Sequence, residues 1–140
     1  TFVKAMIMLA GECLKIIRRE TPEIYETHVQ SVCKSVPEKW RFADYFSSSI
    51  SNFNIAANYH RDAGNVVGSV NIICTKKWMS KGGHLSIPDY DAVIEQADNS
   101  LIVYPAWKNM HGVTPIETLK EDGYRNSLVF YALKNFRLHG

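Results

Sequence analysis

Phe53-Asn54-Ile55-Ala56-Ala57-Asn58-Tyr59-His60-Arg61-Asp62 is the stretch that decides how the rest of the chain is read. Residues 53–60 are apolar and polar by turns and are predicted to form a strand that runs into a His-x-Asp. Side chains alternate sides along a strand, so Asn54, Ala56, Asn58, His60 and Asp62 are predicted to share one face. An imidazole and a carboxylate then point the same way. A third donor must come from a distant strand, and His111 can supply it if the two strands face each other in a barrel. Taken alone, His60-Arg61-Asp62 is equally a polar loop with a surface ion pair, so its meaning depends on the later sequence.

That later sequence is Arg125-Asn126-Ser127-Leu128-Val129-Phe130-Tyr131, a β-rich run that starts 14 residues after His111. Alternation puts Arg125, Ser127, Val129 and Tyr131 on one face. A guanidinium captures a carboxylate through two parallel hydrogen bonds, and a nearby hydroxyl can add a third. Two imidazoles and a carboxylate with open positions form the facial triad of non-heme Fe(II) oxygenases. His-x-Asp, a distant His and a downstream Arg-x-Ser together resemble the 2-oxoglutarate-dependent oxygenases.

A closer resemblance covers about residues 50–135. His60-Arg61-Asp62-Ala63-Gly64-Asn65, followed by Gly68-Ser69-Val70-Asn71-Ile72-Ile73-Cys74-Thr75, is similar to the His-Arg-Asp-x-x-Asn and next strand of the TET/JBP family. Gly82-Gly83-His84-Leu85-Ser86-Ile87-Pro88, residues 100–105 and His111-Gly112-Val113 follow in the order of that superfamily. The chain lacks the large insertions of eukaryotic members and resembles a compact phage or bacterial relative. The resemblance implies a double-stranded β-helix, or jelly-roll, with iron in one mouth. His60, Asp62 and His111 would hold Fe(II). Arg125 and Ser127 would bind the distal carboxylate of 2-oxoglutarate, and oxygen would complete the reactants. The implied reaction hydroxylates the 5-methyl group of a pyrimidine in DNA, with the base flipped out of the duplex and 5-methylcytosine favoured over thymine. The alternatives are the same chemistry on a prolyl residue, a small metabolite or an alkylated base, and a non-catalytic cupin-like binding domain.

Other polar residues admit two readings each. Asn58 either hydrogen-bonds the 2-oxoglutarate carboxylate or an iron-bound water, or is a structural amide. Asn65 has both a donor and an acceptor and can read the edge of a target base; otherwise it is a turn residue. Lys76, Lys77 and Trp78, with Lys81, Trp107 and Lys108 nearby, form either a rim that holds phosphates and stacks bases or a solvated loop. His84 is read as structural beside two glycines, and His28 and His139 as surface residues.

The composition fits one globular domain, with helical support over 1–50 and a β core over 51–135. Hydrophobic residues make up 46% of the 140. A net charge of +2 carries no general commitment to nucleic acid, so a DNA substrate would need a local basic patch. Cys13, Cys33 and Cys74 have no metal-ligand spacing, which points to a reducing intracellular compartment, cytoplasmic or, in a eukaryote, nuclear. No signal peptide or membrane span is read, oligomeric state is left open, and the start at Thr1 leaves room for a missing or removed N-terminal segment.

Phe2, Met6, Leu9, Cys13, Ile16 and Ile17 recur at helical spacing over 2–20. Thr21-Pro22-Glu23 reads as the start of a second helix ending near Lys34, and Ser35-Val36-Pro37-Glu38 as a further capping box. Strands are predicted at 53–60, 67–75, 83–88, 100–105, 111–115 and 126–133, with a turn or short helix over 89–97. Helices followed by many short strands give an α+β fold in which the helices buttress a β core.

Overall fold

The computed structural model describes residues 1–134. Helix α1, Phe2–Glu20, is capped by the Thr1 hydroxyl, which accepts from the Lys4 amide, and carries Arg18 and Arg19 in its last turn where the helix dipole favours cations. Its buried stripe is Ala10, Cys13, Leu14 and Ile17, about one position round from the predicted face; Phe2, Leu9 and Ile16 are exposed. Helix α2, Pro22–Ser35, starts on Pro22, whose ring suits the first turn. The Thr21 hydroxyl does not cap it. That group donates to the Ile17 carbonyl and closes α1 instead. The predicted capping box at Ser35 yields only a short 3-10 turn, Glu38–Trp40, with no side-chain cap.

Ten strands follow among the described residues: β1 (Ser48–Phe53), β2 (Ala57–His60), β3 (Asn71–Trp78), β4 (Ser80–Gly82), β5 (Leu85–Ile87), β6 (Ala92–Ile94), β7 (Ser100–Tyr104), β8 (His111–Val113), β9 (Ile116–Thr118) and β10 (Tyr124–Tyr131). They form one four-stranded sheet in the order β1-β10-β3-β7, a second in the order β2-β8-β5-β6, and a small β4-β9 pair, all antiparallel. The fold is therefore α+β.

The predicted strand 53–60 is two strands, one in each sheet. Asn54 has φ 54° and turns the chain between them. Asparagine tolerates this left-handed conformation better than most residues. Its side chain is also used: Oδ1 accepts from the Arg125 backbone amide at 2.8 Å, while the Asn54 backbone N–H donates to the Arg125 carbonyl at 2.8 Å.

Adjacent residues on β3 serve opposite layers. Ile72 joins Phe46 and Phe130 under the α1 stripe, whereas Ile73 packs with Leu85, Ile87 and Tyr104 between the two sheets. A third cluster, Val32, Val36, Val66 and Ala132, seats α2 beside the ends of the sheet. Helix α1 thus covers the outer face of the first sheet, and its inner face is left to line a cavity. No helix among the described residues is long and apolar enough to cross a membrane.

Candidate metal centre and the cavity behind it

β2 and β8 pair with His60 opposite His111. The two rings lie 4.5 Å apart between centroids. Each ring is fixed in the same way. His60 Nδ1–H donates to the Asn58 carbonyl at 2.8 Å, and His111 Nδ1–H donates to the Asn109 carbonyl at 2.9 Å. A carbonyl can only accept, so in each neutral ring the proton sits on Nδ1 and Nε2 keeps its lone pair, as metal-ligating histidines require. Asp62 lies beyond the end of β2, where its amide donates to the Ala106 carbonyl at 3.0 Å. Its carboxylate reaches both rings, at 3.2 Å from His60 Nε2 and 3.7 Å from His111 Nε2. One donor atom from each residue fits within a 4.8 Å span, so the three could hold a metal ion. Burial lowers the pKa of His111 and favours its neutral form, against the opposing pulls of the Asn109 carbonyl and Asp62.

Behind Asp62 stands a polar chain that the sequence reading did not foresee. Asn71 Nδ2 donates to Asp62 Oδ2 at 3.2 Å, and Asn65 Nδ2 donates to Asn71 Oδ1 at 2.8 Å. Asn65 is only 2% exposed. Its Nδ2 donates to Asn71, and the residue lines the cavity described below from behind Asp62. Tyr104 meets the His111 ring edge-on at 5.0 Å, and burial raises its hydroxyl pKa, with Asp62 adding to the shift. The one hint in the sequence was an amide, Asn71, directly before the apolar run Ile72-Ile73-Cys74.

His60, Asp62 and His111 line a cavity of about 430 Å³ whose walls also include Arg125, Ser127, Val129 and Tyr131, the face predicted by alternation on β10. Arg125 is 1% exposed and held on several sides. Its Nε and Nη2 donate to the Gly83 carbonyl at 3.2 and 2.9 Å, Nη2 also donates to Gln96 Oε1 at 2.6 Å, and Nη1 donates to Ser127 Oγ at 3.2 Å. Gln96 had no signal in the sequence. It lies in the connection between β6 and β7, and only the fold brings it to Arg125.

Three expectations meet a different geometry. Asn58 is exposed and borders a neighbouring surface pocket with Tyr59 instead of this cavity, because the register of β2 against β8 shifts between Ala57 and His60 and breaks the alternation; its carbonyl, not its amide, serves the site through His60. Lys76, Lys77 and Trp78 occupy the end of β3 away from Asn71, roughly 23 Å along the strand for Trp78. None of the three lines the cavity. Lys76 pairs with Asp98 at 3.4 Å and donates to Asn99 at 2.7 Å, while Lys120 sits over the Trp78 ring at 5.7 Å. Arg61 is next in sequence to both His60 and Asp62, and its Nε donates to the Lys108 carbonyl at 3.2 Å. His28 is buried instead of exposed: Nε2–H donates to the Tyr45 carbonyl and Nδ1 accepts from the Val70 amide. His139 falls outside the described residues.

The donor set of two imidazoles and one carboxylate suits non-heme Fe(II) and leaves positions open. The buried guanidinium and hydroxyl suit a carboxylate at the other end of the same cavity. Comparison with curated proteins returns no match. A family model, Tet_JBP, described as the oxygenase domain of the 2OGFeDO superfamily, matches residues 1–134. The chain belongs to this Tet_JBP family and is an Fe(II)- and 2-oxoglutarate-dependent dioxygenase.

Proposed function

We propose that His60, Asp62 and His111 hold Fe(II), that Arg125 and Ser127 take the distal carboxylate of 2-oxoglutarate, and that the substrate is the 5-methyl group of a pyrimidine in DNA, 5-methylcytosine before thymine. The observation that carries the first two assignments is that all five residues line one cavity, with both imidazole Nε2 atoms free of backbone partners. The sheet orders β1-β10-β3-β7 and β2-β8-β5-β6 support a double-stranded β-helix, in which two antiparallel four-stranded sheets enclose the site.

When bound, Fe(II) and 2-oxoglutarate supply the oxidative decarboxylation by O2 that is coupled to hydroxylation of a C–H bond. The chain's own part is positional. Asn58 and Asn109 hold the ring tautomers, Asn71 orients the Asp62 carboxylate, and Arg125 fixes the far end of the co-substrate. Ile73, Leu85 and Val129 keep the wall between the two ends apolar and limit water.

The resemblance of His60-Arg61-Asp62-Ala63-Gly64-Asn65 to the TET/JBP motif supports the nucleic-acid substrate, and Arg61, with Lys108 bonded to it through its carbonyl, offers a cation for flanking phosphates. The base must leave the stack to reach a site set inside the sheets. A second reading, 2-oxoglutarate chemistry on a non-nucleic substrate such as a prolyl residue or small metabolite, is favoured by the apolar residues Ile50 and Ile55, which line the cavity and are 48% and 57% exposed. Mass spectrometry of nucleosides decides between them. After incubation with Fe(II) and 2-oxoglutarate, DNA containing 5-methylcytosine should yield its hydroxymethyl derivative. If neither that DNA nor thymine-only DNA is oxidised, while 2-oxoglutarate is turned over, the nucleic-acid reading falls and the second stands.

A further inference from the structure

Gln96 is fully buried although it belongs to no strand or helix. Its side-chain oxygen accepts twice, from Arg125 Nη2 at 2.6 Å and from Thr75 Oγ1 at 3.1 Å. Its backbone amide donates to His84 Nδ1 at 3.1 Å. These contacts leave one orientation for the amide. A guanidinium has no acceptor, so Oε1 must face Arg125 and Nε2 must face away from it. Nε2 is buried and has no hydrogen-bond partner. Folded interiors rarely leave a donor in that state, and such a group calls for an explanation. The residue that carries it lines the cavity together with Arg125 and Ser127.

We propose that Gln96 is a further anchor of the 2-oxoglutarate distal carboxylate: Nε2 donates to a carboxylate oxygen while Oε1 holds the Arg125 guanidinium in place. This rests on the assignment of the Arg125 end of the cavity to that carboxylate. The bound acid then meets three kinds of donor, guanidinium, hydroxyl and amide, and the orphaned N–H gains its partner only when the co-substrate is bound. Gln96 thereby couples the position of Arg125 to occupancy of the site, and it favours acids that carry a second carboxylate.

Calorimetry under anaerobic conditions with Fe(II) tests this without turnover. Gln96→Glu keeps an oxygen for Arg125 and Thr75 but replaces the free donor with an acceptor. Its dissociation constant for 2-oxoglutarate should rise about tenfold to a hundredfold, the range of one hydrogen bond to a charged group. 2-Oxobutyrate has the keto acid without the distal carboxylate, and it should bind the variant and the wild type alike. The melting temperature of the free variant should hold or rise, because the new carboxylate pairs with Arg125. Gln96→Met removes the donor at similar length and should show the same selective loss, which decides the matter if Gln96→Glu fails to fold. Unchanged 2-oxoglutarate affinity in a folded variant, or an equal loss for both acids, overturns the assignment of Gln96. Failure of the wild type to bind 2-oxoglutarate overturns instead the reading of the cavity on which it rests.

Discussion

His60 and His111 are each tethered to the carbonyl two residues before them, so the two ligand candidates repeat one local device on paired strands. Asp62 is tethered through side chains instead, by Asn71 and then Asn65. Removing any donor leaves too few protein ligands. His60→Ala, Asp62→Ala and His111→Ala should each abolish 2-oxoglutarate turnover; Asn71→Ala should weaken Fe(II) affinity about tenfold to a hundredfold, the usual effect of losing a partner behind a ligand, and Asn65→Ala, one bond further back, should weaken it by less. Metal titration of Asn65→Ala separates the two readings of that residue, since a base-reading amide would leave iron affinity untouched. Arg125 belongs to the same scale. Arg125→Lys keeps the charge but loses the fork that reaches Ser127, Gln96 and Gly83 together. Its Michaelis constant for 2-oxoglutarate should rise about tenfold; an unchanged constant would move the carboxylate anchor elsewhere.

At the scale of elements, the entry to β5 matters most. Gly82 and Gly83 have φ of +75° and +70°, a region that favours glycine, and a Cβ on Gly83 would sit 2.8 Å from Arg125 Nε. The same residue offers the carbonyl that seats the guanidinium. Gly83→Ala should therefore cost about 1–3 kcal/mol of stability through backbone strain, and it should also weaken 2-oxoglutarate binding. Chemical denaturation paired with calorimetry checks this, and a variant as stable and as tight-binding as the wild type would contradict it. Helix α1 was legible as a helix because its apolar spacing is local. Its buried stripe was not, because Leu9 and Ile16 are as apolar as Leu14 and Ile17, and only contact with Phe46, Ile72 and Phe130 selects among them. The predicted strand 53–60 erred for a related reason. Pattern gives extended residues, but a single left-handed residue, Asn54, hands the second half to the other sheet.

Charge and titration act on the whole molecule. With Lys76 engaged by Asp98 and Asn99 on the far side, any phosphate contacts near the metal candidates fall to Arg61 and Lys108. Arg61→Ala with Lys108→Ala should weaken DNA binding and flatten its salt dependence by up to about two units of slope, whereas Lys76→Ala with Lys77→Ala should change little. Filter binding across a salt series gives the answer, and the reverse ranking would return the DNA track to the end of β3. His28 ties α2 to Tyr45 and Val70, and burial lowers its pKa from 6.5 to about 4. The unfolded chain thus takes up this proton at a higher pH than the folded one. Stability is fully present above about pH 6.5 and is lost as pH falls towards 4, by about 2 kcal/mol between pH 7 and pH 5 from this group alone. Urea unfolding at the two pH values measures the loss, and its persistence at full size in His28→Gln would assign it to other groups.

By itself the sequence determined what depends on near neighbours. Helical spacing marked α1, the Thr21-Pro22-Glu23 start marked α2, and strand alternation put Arg125 and Ser127 on one face. Chain order and residue chemistry carried the candidate His60, Asp62 and His111, since a donor type is a property of the residue itself. Tertiary structure decided what depends on which strand ends share a side of the two sheets. It turned Asn65 inward, set Lys76, Lys77 and Trp78 apart from the cavity, buried His28 and carried Gln96 to Arg125. The reason is physical. Local periodicity gives the direction of a side chain relative to its own backbone, whereas its partners across space follow from antiparallel pairing between distant segments, and from the need of each buried polar group for a partner.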